Sequence, residues 1–142
     1  MEKVNKVIVT IFLVVAAFQA HAQESIEGIW LTEEGNSKIE IYQKGDNSFG
    51  KVVWLEQPTD QNGNPVTDRN NPNKDLRNRQ VLGIDMLKDL QYRNGKWYGK
   101  IYAPKRGLEL DVELVGLGKE KMELNVSYRG FTRKQTWTRS TL

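Results

Sequence analysis

The sequence predicts an all-β domain, a single antiparallel up-and-down barrel of about eight strands. Three observations predict it. Apolar and polar residues alternate with period 2 in short runs, where helical spacing would repeat at 3.6. Turn residues separate those runs at short intervals, which makes sequence neighbours antiparallel partners. Every run also has one apolar face, so the economical arrangement closes the sheet on itself and leaves no exposed edge. A two-sheet sandwich is the alternative arrangement of the same strands.

In chain order, residues 1–22 differ in kind from the rest. Lys3 and Lys6 precede an apolar run, 7–18, interrupted only by Thr10, and Ala20-His21-Ala22 has small residues at both ends. Charged start, apolar run and small-residue site are the parts of a secretory signal peptide. The run is short of the ~20 residues that span a bilayer. Cleavage is expected after Ala22, so the domain is expected to run over 23–142, in the periplasm or secreted, with no stable membrane span after processing. Cleavage removes the only histidine, and the chain has no cysteine.

Strands are expected at 28–32, around Ile39 and Ile41, at 49–55, at 96–103, along Leu108-Glu109-Leu110-Asp111-Val112-Glu113-Leu114, along 122–128 and at 133–139. Gly45-Asp46-Asn47, Asn94-Gly95, 104–107 and 116–119 are the turns between them. Residues 56–79 break the rhythm: the stretch is rich in Asn, Asp and Pro and nearly devoid of apolar side chains. A loop that long inside a compact domain is usually functional or disordered. Residues 81–87 return to the core, as a strand or as a short helical turn.

Composition excludes several functions. Without Cys there is no disulfide and no thiolate catalyst; without His after processing there is no imidazole base and no ordinary zinc site. The chain carries 21 Lys+Arg against 18 Asp+Glu, a net +3 that becomes +2 when Glu2, Lys3 and Lys6 leave with the signal. The two signs are interleaved, with none of the concentrated basic face that nucleic-acid binding requires. The expectation is a binding domain and not an enzyme, with no catalytic residue, metal or cofactor.

Four groups of residues are candidates for a site or signature. Gly28 and Trp30 on the first strand, with Arg139 on the last, resemble the signature of lipocalin-like barrels, in which a cation lies over an indole that closes one end; the implied role is structural. Asp60-Gln61-Asn62-Gly63-Asn64 begins like a calcium loop, but Pro65 and Asn71 stand where glycine and glutamate are needed, so a loop held by its own Asx turns is expected. Further along lie Asp68, Arg69, Asn71, Pro72, Arg77 and Arg79. These arginines can hold the loop's own Asp68 and Asp75, or an anionic head group; the need of polar loops to satisfy their own groups favours the internal network. Four tryptophans and five tyrosines serve either a packed interior or a pocket. The acid stripe Glu109, Asp111, Glu113 faces outward, where cross-strand ion pairing accounts for it.

Taken together these residues resemble one family, the bacterial domain of unknown function 2147 (DUF2147), exported proteins without an assigned activity. The resemblance runs from Gly28-Ile29-Trp30 through Gly50, Asp68, Asn71-Pro72, Arg77, Arg79 and Gly83 to Trp97, Gly99 and Ile101-Tyr102, and closes with Gln135-Thr136-Trp137-Thr138-Arg139. It differs in a shorter segment before the last strand and in Leu110 where an aromatic is usual. The resemblance implies a lipocalin-like barrel, and with it a small hydrophobic or lipid-like ligand as partner. Inward residues such as Trp97, Ile101, Leu110, Val112 and Leu124 would line the site, along with Ile39, Ile41 and Val126, and Arg77 and Arg79 would meet a polar head. The competing expectation is a structural or protein-interaction module of the cell envelope that uses the long loop. A His- and Cys-independent enzyme centred on Asp68 is the third.

Overall fold

A computed structural model describes residues 25–142; the expected signal peptide and its cleavage site lie outside the described residues. Eight strands follow one another: β1 Gly28–Leu31, β2 Ser37–Lys44, β3 Asn47–Leu55, β4 Asp85–Arg93, β5 Lys96–Ala103, β6 Leu108–Gly116, β7 Lys121–Tyr128 and β8 Phe131–Ser140. Each pairs antiparallel with the next, and β8 returns to pair with β1. The sheet is a closed up-and-down barrel and not a sandwich.

The 81–87 segment resolves into a turn followed by β4, which starts at Asp85 and runs on to Arg93. Its alternation fails because it is bulged. Asp89 has φ +52°, the register with β5 shifts between Lys88 and Gln91, and the inward residues become Leu87 and Leu90, three apart. A bulge inserts one unpaired residue and re-aims those after it. Gly99 on β5 makes room for it, since a Cβ there would stand 2.5 Å from the Lys88 carbonyl oxygen.

Because strands alternate in direction, the turns gather at two ends. One end is plugged. Trp30 is buried and its Nε1 donates to the Ile26 carbonyl at 2.8 Å. The Arg139 guanidinium carbon lies 4.0 Å from the Trp30 ring centre, while its Nε donates to the Lys119 carbonyl at 3.0 Å. Gly28, at φ +119°, leaves the space Arg139 needs, because a Cβ would meet the guanidinium at 2.7 Å. Above this plug the barrel is filled. Ile39, Ile41, Leu87, Leu90, Leu114, Met122 and Leu124 are all fully buried. Gly50 lets Ile39 and Leu87 meet, as a Cβ there would come within 2.9 Å of both. The other end carries the β1–β2, β5–β6 and β7–β8 turns and the long loop, and it is open.

Candidate ligand cavity at the open end

Above the packed half the inward side chains stop meeting. Val52, Leu55, Met86, Leu110 and Val126 stand around an empty space with Trp137 at its floor, and the cavity measures about 1160 Å³. Sites for small molecules enclose roughly 300–1,000 Å³ and combine apolar walls with a few polar groups. Here the walls are apolar and the rim is charged. Arg69, Lys105, Arg106 and Arg133 stand at the mouth with Glu33, Glu34, Glu56 and Asp60. Arg133 and Glu33 are 4.0 Å apart, and Glu33 also accepts from the Thr136 backbone N–H at 3.1 Å. Most of the rim charge is exposed.

The long loop forms one side of the mouth. It is ordered by its own backbone, through bridges of Thr59 to Pro65 and of Thr67 to Gln80. The Asp60 carboxylate accepts from the backbone N–H groups of Asn62 and Asn64 at 2.8 and 2.9 Å, an Asx-turn arrangement that occupies the oxygen a cation would use. Among the described residues no three carboxylates converge as a metal site requires.

What bolts the loop down is Asp68, which has no exposed surface. Its Oδ1 accepts from the Tyr102 hydroxyl at 2.6 Å, and its Oδ2 from Asn71 Nδ2 at 2.7 Å and from Arg79 Nε and Nη2 at 2.9 Å each. Tyr102 follows inward Ile101 on β5 and therefore points away from the barrel interior, where the loop covers it. Burial first, then the hydrogen bond to Asp68 and that carboxylate's charge, push the Tyr102 phenol up to about 12, with Arg79 acting in the opposite sense. Arg77 Nε donates to the Asn71 carbonyl at 2.7 Å, and Asn71 Oδ1 accepts from the Asn73 N–H. Asn73 in turn caps the short 3-10 turn Lys74–Leu76 that follows exposed Pro72. A second attachment joins Asn70 Nδ2 to the Lys105 carbonyl at 2.8 Å.

The residues singled out from sequence thus fall into three places. Leu110 lines the cavity, as does Val126. Ile101, Val112 and Leu124 are buried in the core and do not line the cavity, Ile101 and Val112 standing opposite Leu110 and Val126 on the neighbouring strands. Trp97 is half-buried against that same core, its ring 5.3 Å from Tyr92 near the plugged end. Arg77 and Arg79 lie in the loop's internal network with Asp68 and Asn71, away from the cavity wall. Gly28, Trp30 and Arg139 form the plug. The acid stripe is paired outside the barrel: Glu109 with Lys88, Asp111 with Lys100 and Glu113 with Lys96. Val52, Leu55 and Met86 were not among the sequence candidates. The alternation of 49–55 offered a signal for Val52, whereas Leu55 has the opposite parity and turns inward past a register shift between β2 and β3, and Met86 lies at a register shift between β3 and β4.

Known proteins place this architecture. A solved structure, described as "Protein HP1028 from the human pathogen Helicobacter pylori belongs to the lipocalin family", superposes with a TM-score of 0.68 at 24% identity, covering 82% of this chain and 84% of that one. Among curated proteins no sequence matches. The profile of the family described as "Uncharacterized protein conserved in bacteria (DUF2147)" matches residues 28–139, from the Gly-x-Trp of β1 to the arginine that covers it. The chain therefore belongs to the DUF2147 family and has a lipocalin-like barrel.

Proposed function

We propose that the protein binds a small hydrophobic or amphipathic molecule, lipid-like in character, in the open half of its barrel, and that it does so as an exported binding protein without catalysis. The observation that carries this reading is the division of one barrel into a packed half and an empty half. A barrel built only as a scaffold gains stability by filling its interior, and the wall residues here are apolar and leave it unfilled. The charged rim suits a ligand whose polar end stays at the mouth. Arg69 and Arg106, which have no carboxylate partner among the described residues, are the groups on hand for an anionic head.

The test is native mass spectrometry of protein purified from cells expressing the full chain, before and after organic extraction. The expected result is a discrete extra mass that extraction removes and that Leu110→Trp, which fills the cavity, prevents from forming. Adding a fatty acid or lysophospholipid to extracted protein should change the fluorescence of Trp137 at the cavity floor, and Trp137→Phe should abolish that change where Trp97→Phe leaves it. A clean mass with no fluorescence response overturns the reading and turns attention to the long loop as a protein-contact surface.

A further inference from the structure

Two neighbouring hairpin tips at the open end combine exposed aromatic side chains with cations that have no carboxylate partner among the described residues. The β7–β8 tip reads Tyr128-Arg129-Gly130-Phe131. Tyr128 pairs with Phe131, so Arg129 and Gly130 form a two-residue turn, both at positive φ. That geometry holds the two aromatics at the tip, where Phe131 is 81% exposed and Tyr128 41%. The Arg129 guanidinium lies 5.1 Å from the Tyr128 ring centre. The β5–β6 tip, Pro104-Lys105-Arg106-Gly107, stands beside it because β6 and β7 are paired. Between them the segments 104–107 and 128–134 hold five cationic residues and no acid. Lys105, Arg106 and Arg129 have no carboxylate partner among the described residues.

An exposed phenylalanine on a rigid turn, flanked by tyrosine and unpaired cations, matches the interface of a bilayer. Aromatic rings settle at headgroup depth and Lys and Arg meet anionic lipid. The acids of the mouth lie on the β1–β2 turn, Glu33 and Glu34, and on the long loop, Glu56 and Asp60; Glu33 stands 4.0 Å from Arg133, so of the tips' cations Lys105, Arg106 and Arg129 are those left to complement a negative surface. The plugged end exposes Leu117, Tyr92 and Leu142, but no hairpin-tip aromatic there matches the 81% exposure of Phe131, Lys96 is paired with Glu113, Arg139 is committed to Trp30, and Glu120 sits between Lys119 and Lys121. We propose that the protein docks on an anionic bilayer through these two tips, with Phe131 and Tyr128 in the interfacial layer and Lys105, Arg106 and Arg129 on the headgroups, which sets the cavity mouth against the membrane. Phe131, Arg106 and Lys105 also line the mouth, so an apolar ligand would pass between bilayer and cavity without crossing water; that consequence rests on the binding function proposed above, whereas the docking does not.

Co-sedimentation tests it, using protein purified from cells expressing the full chain, with vesicles of phosphatidylglycerol and phosphatidylethanolamine against vesicles of phosphatidylcholine alone. The expected result is binding to the anionic vesicles that weakens with salt. Lys105→Ala/Arg106→Ala/Arg129→Ala should lower the partition on the order of 100-fold, at roughly fivefold per charge, and Phe131→Ala by roughly tenfold or more. These positions are exposed, and far-UV circular dichroism identifies any variant that fails to fold. Independently, Phe131→Trp should be quenched by brominated lipid in the anionic vesicles. Equal binding to both vesicle types, or binding indifferent to the tip variants, overturns the docking. So does a concentration-dependent dimer abolished by Phe131→Ala in the absence of vesicle binding, which would assign the tip to a second copy of the chain. Leu110→Trp separates the two proposals: it should remove the extractable mass and leave vesicle binding intact.

Discussion

A carboxylate without exposed surface is costly to bury unless its oxygens are all engaged, and Asp68 meets that condition with donors from Tyr102, Asn71 and Arg79. Removing the acceptor strands three donor groups at once. Asp68→Ala is therefore expected to destabilise the fold by about 3 kcal/mol, measured by urea denaturation, and to expose the long loop to protease. The same contact gives a pH dependence. The folded chain holds the Tyr102 proton more tightly than the unfolded chain, since its pKa is raised from 10.0 to about 12. Both states keep the proton below pH ~10, where the stabilisation is complete. It is lost as the pH rises from there through about 12. Tyr42, whose hydroxyl donates to Asp85 at 2.7 Å and whose pKa is likewise raised to about 12, acts in the same direction. Urea denaturation between pH 9 and 12 should show stability falling, and Tyr102→Phe with Tyr42→Phe should remove that part of the slope.

The long loop meets the barrel at Gly107 as well as at Asp68. Gly107 has φ +61°, and a Cβ there would lie 1.8 Å from the Asn70 carbonyl oxygen. Gly107→Ala must move either the β5–β6 turn or the loop; with the left-handed strain included, a loss of about 1–3 kcal/mol is expected. Limited proteolysis should then cut within 56–84 before the strands unfold. The loop and β4 also mark where the sequence was readable. Leu108 to Leu114 alternates without a break, and β6 forms there in full, with Val112 and Leu114 buried and Asp111 and Glu109 paired outside. β4 was hidden by two irregularities: the Asp89 bulge moves the next inward leucine from two positions away to three, and a second register shift against β3 falls at Met86, between Asp85 and Leu87. The loop's lack of apolar residues was legible, but its anchor was not. Asp68 and Tyr102 are 34 positions apart, and only the folding of the loop back over the β4–β5 side of the sheet puts the outward face of β5 beneath it. The cavity was half legible for the same reason. Alternation gives the inward face of each strand, so Leu110 and Val126 could be named, but not the height along the barrel at which side chains cease to touch.

That height divides the whole molecule energetically. In the packed half a deleted side chain leaves a void that rigid neighbours cannot fill, and Leu→Ala changes in such sites cost about 2–5 kcal/mol. Leu124 has no exposed surface and belongs to this half. Leu110 is half-buried and already borders empty space, so truncating it enlarges a void without creating one and removes fewer contacts. Leu124→Ala is expected to lower stability by about 3 kcal/mol or more, and Leu110→Ala by roughly a third of that. Ligand should reverse the order of sensitivity. A molecule bound only by the folded state raises the unfolding free energy as its concentration exceeds its dissociation constant. Leu124→Ala protein should therefore recover stability when a fatty acid is added, because its cavity wall is intact. Leu110→Trp protein should show no such gain, because its cavity is filled. Thermal unfolding of the parent and both variants, each with and without fatty acid, measures all of these terms. Equal costs for the two truncations would mean that both halves are packed alike, and a uniform gain from the fatty acid would place its binding outside the barrel.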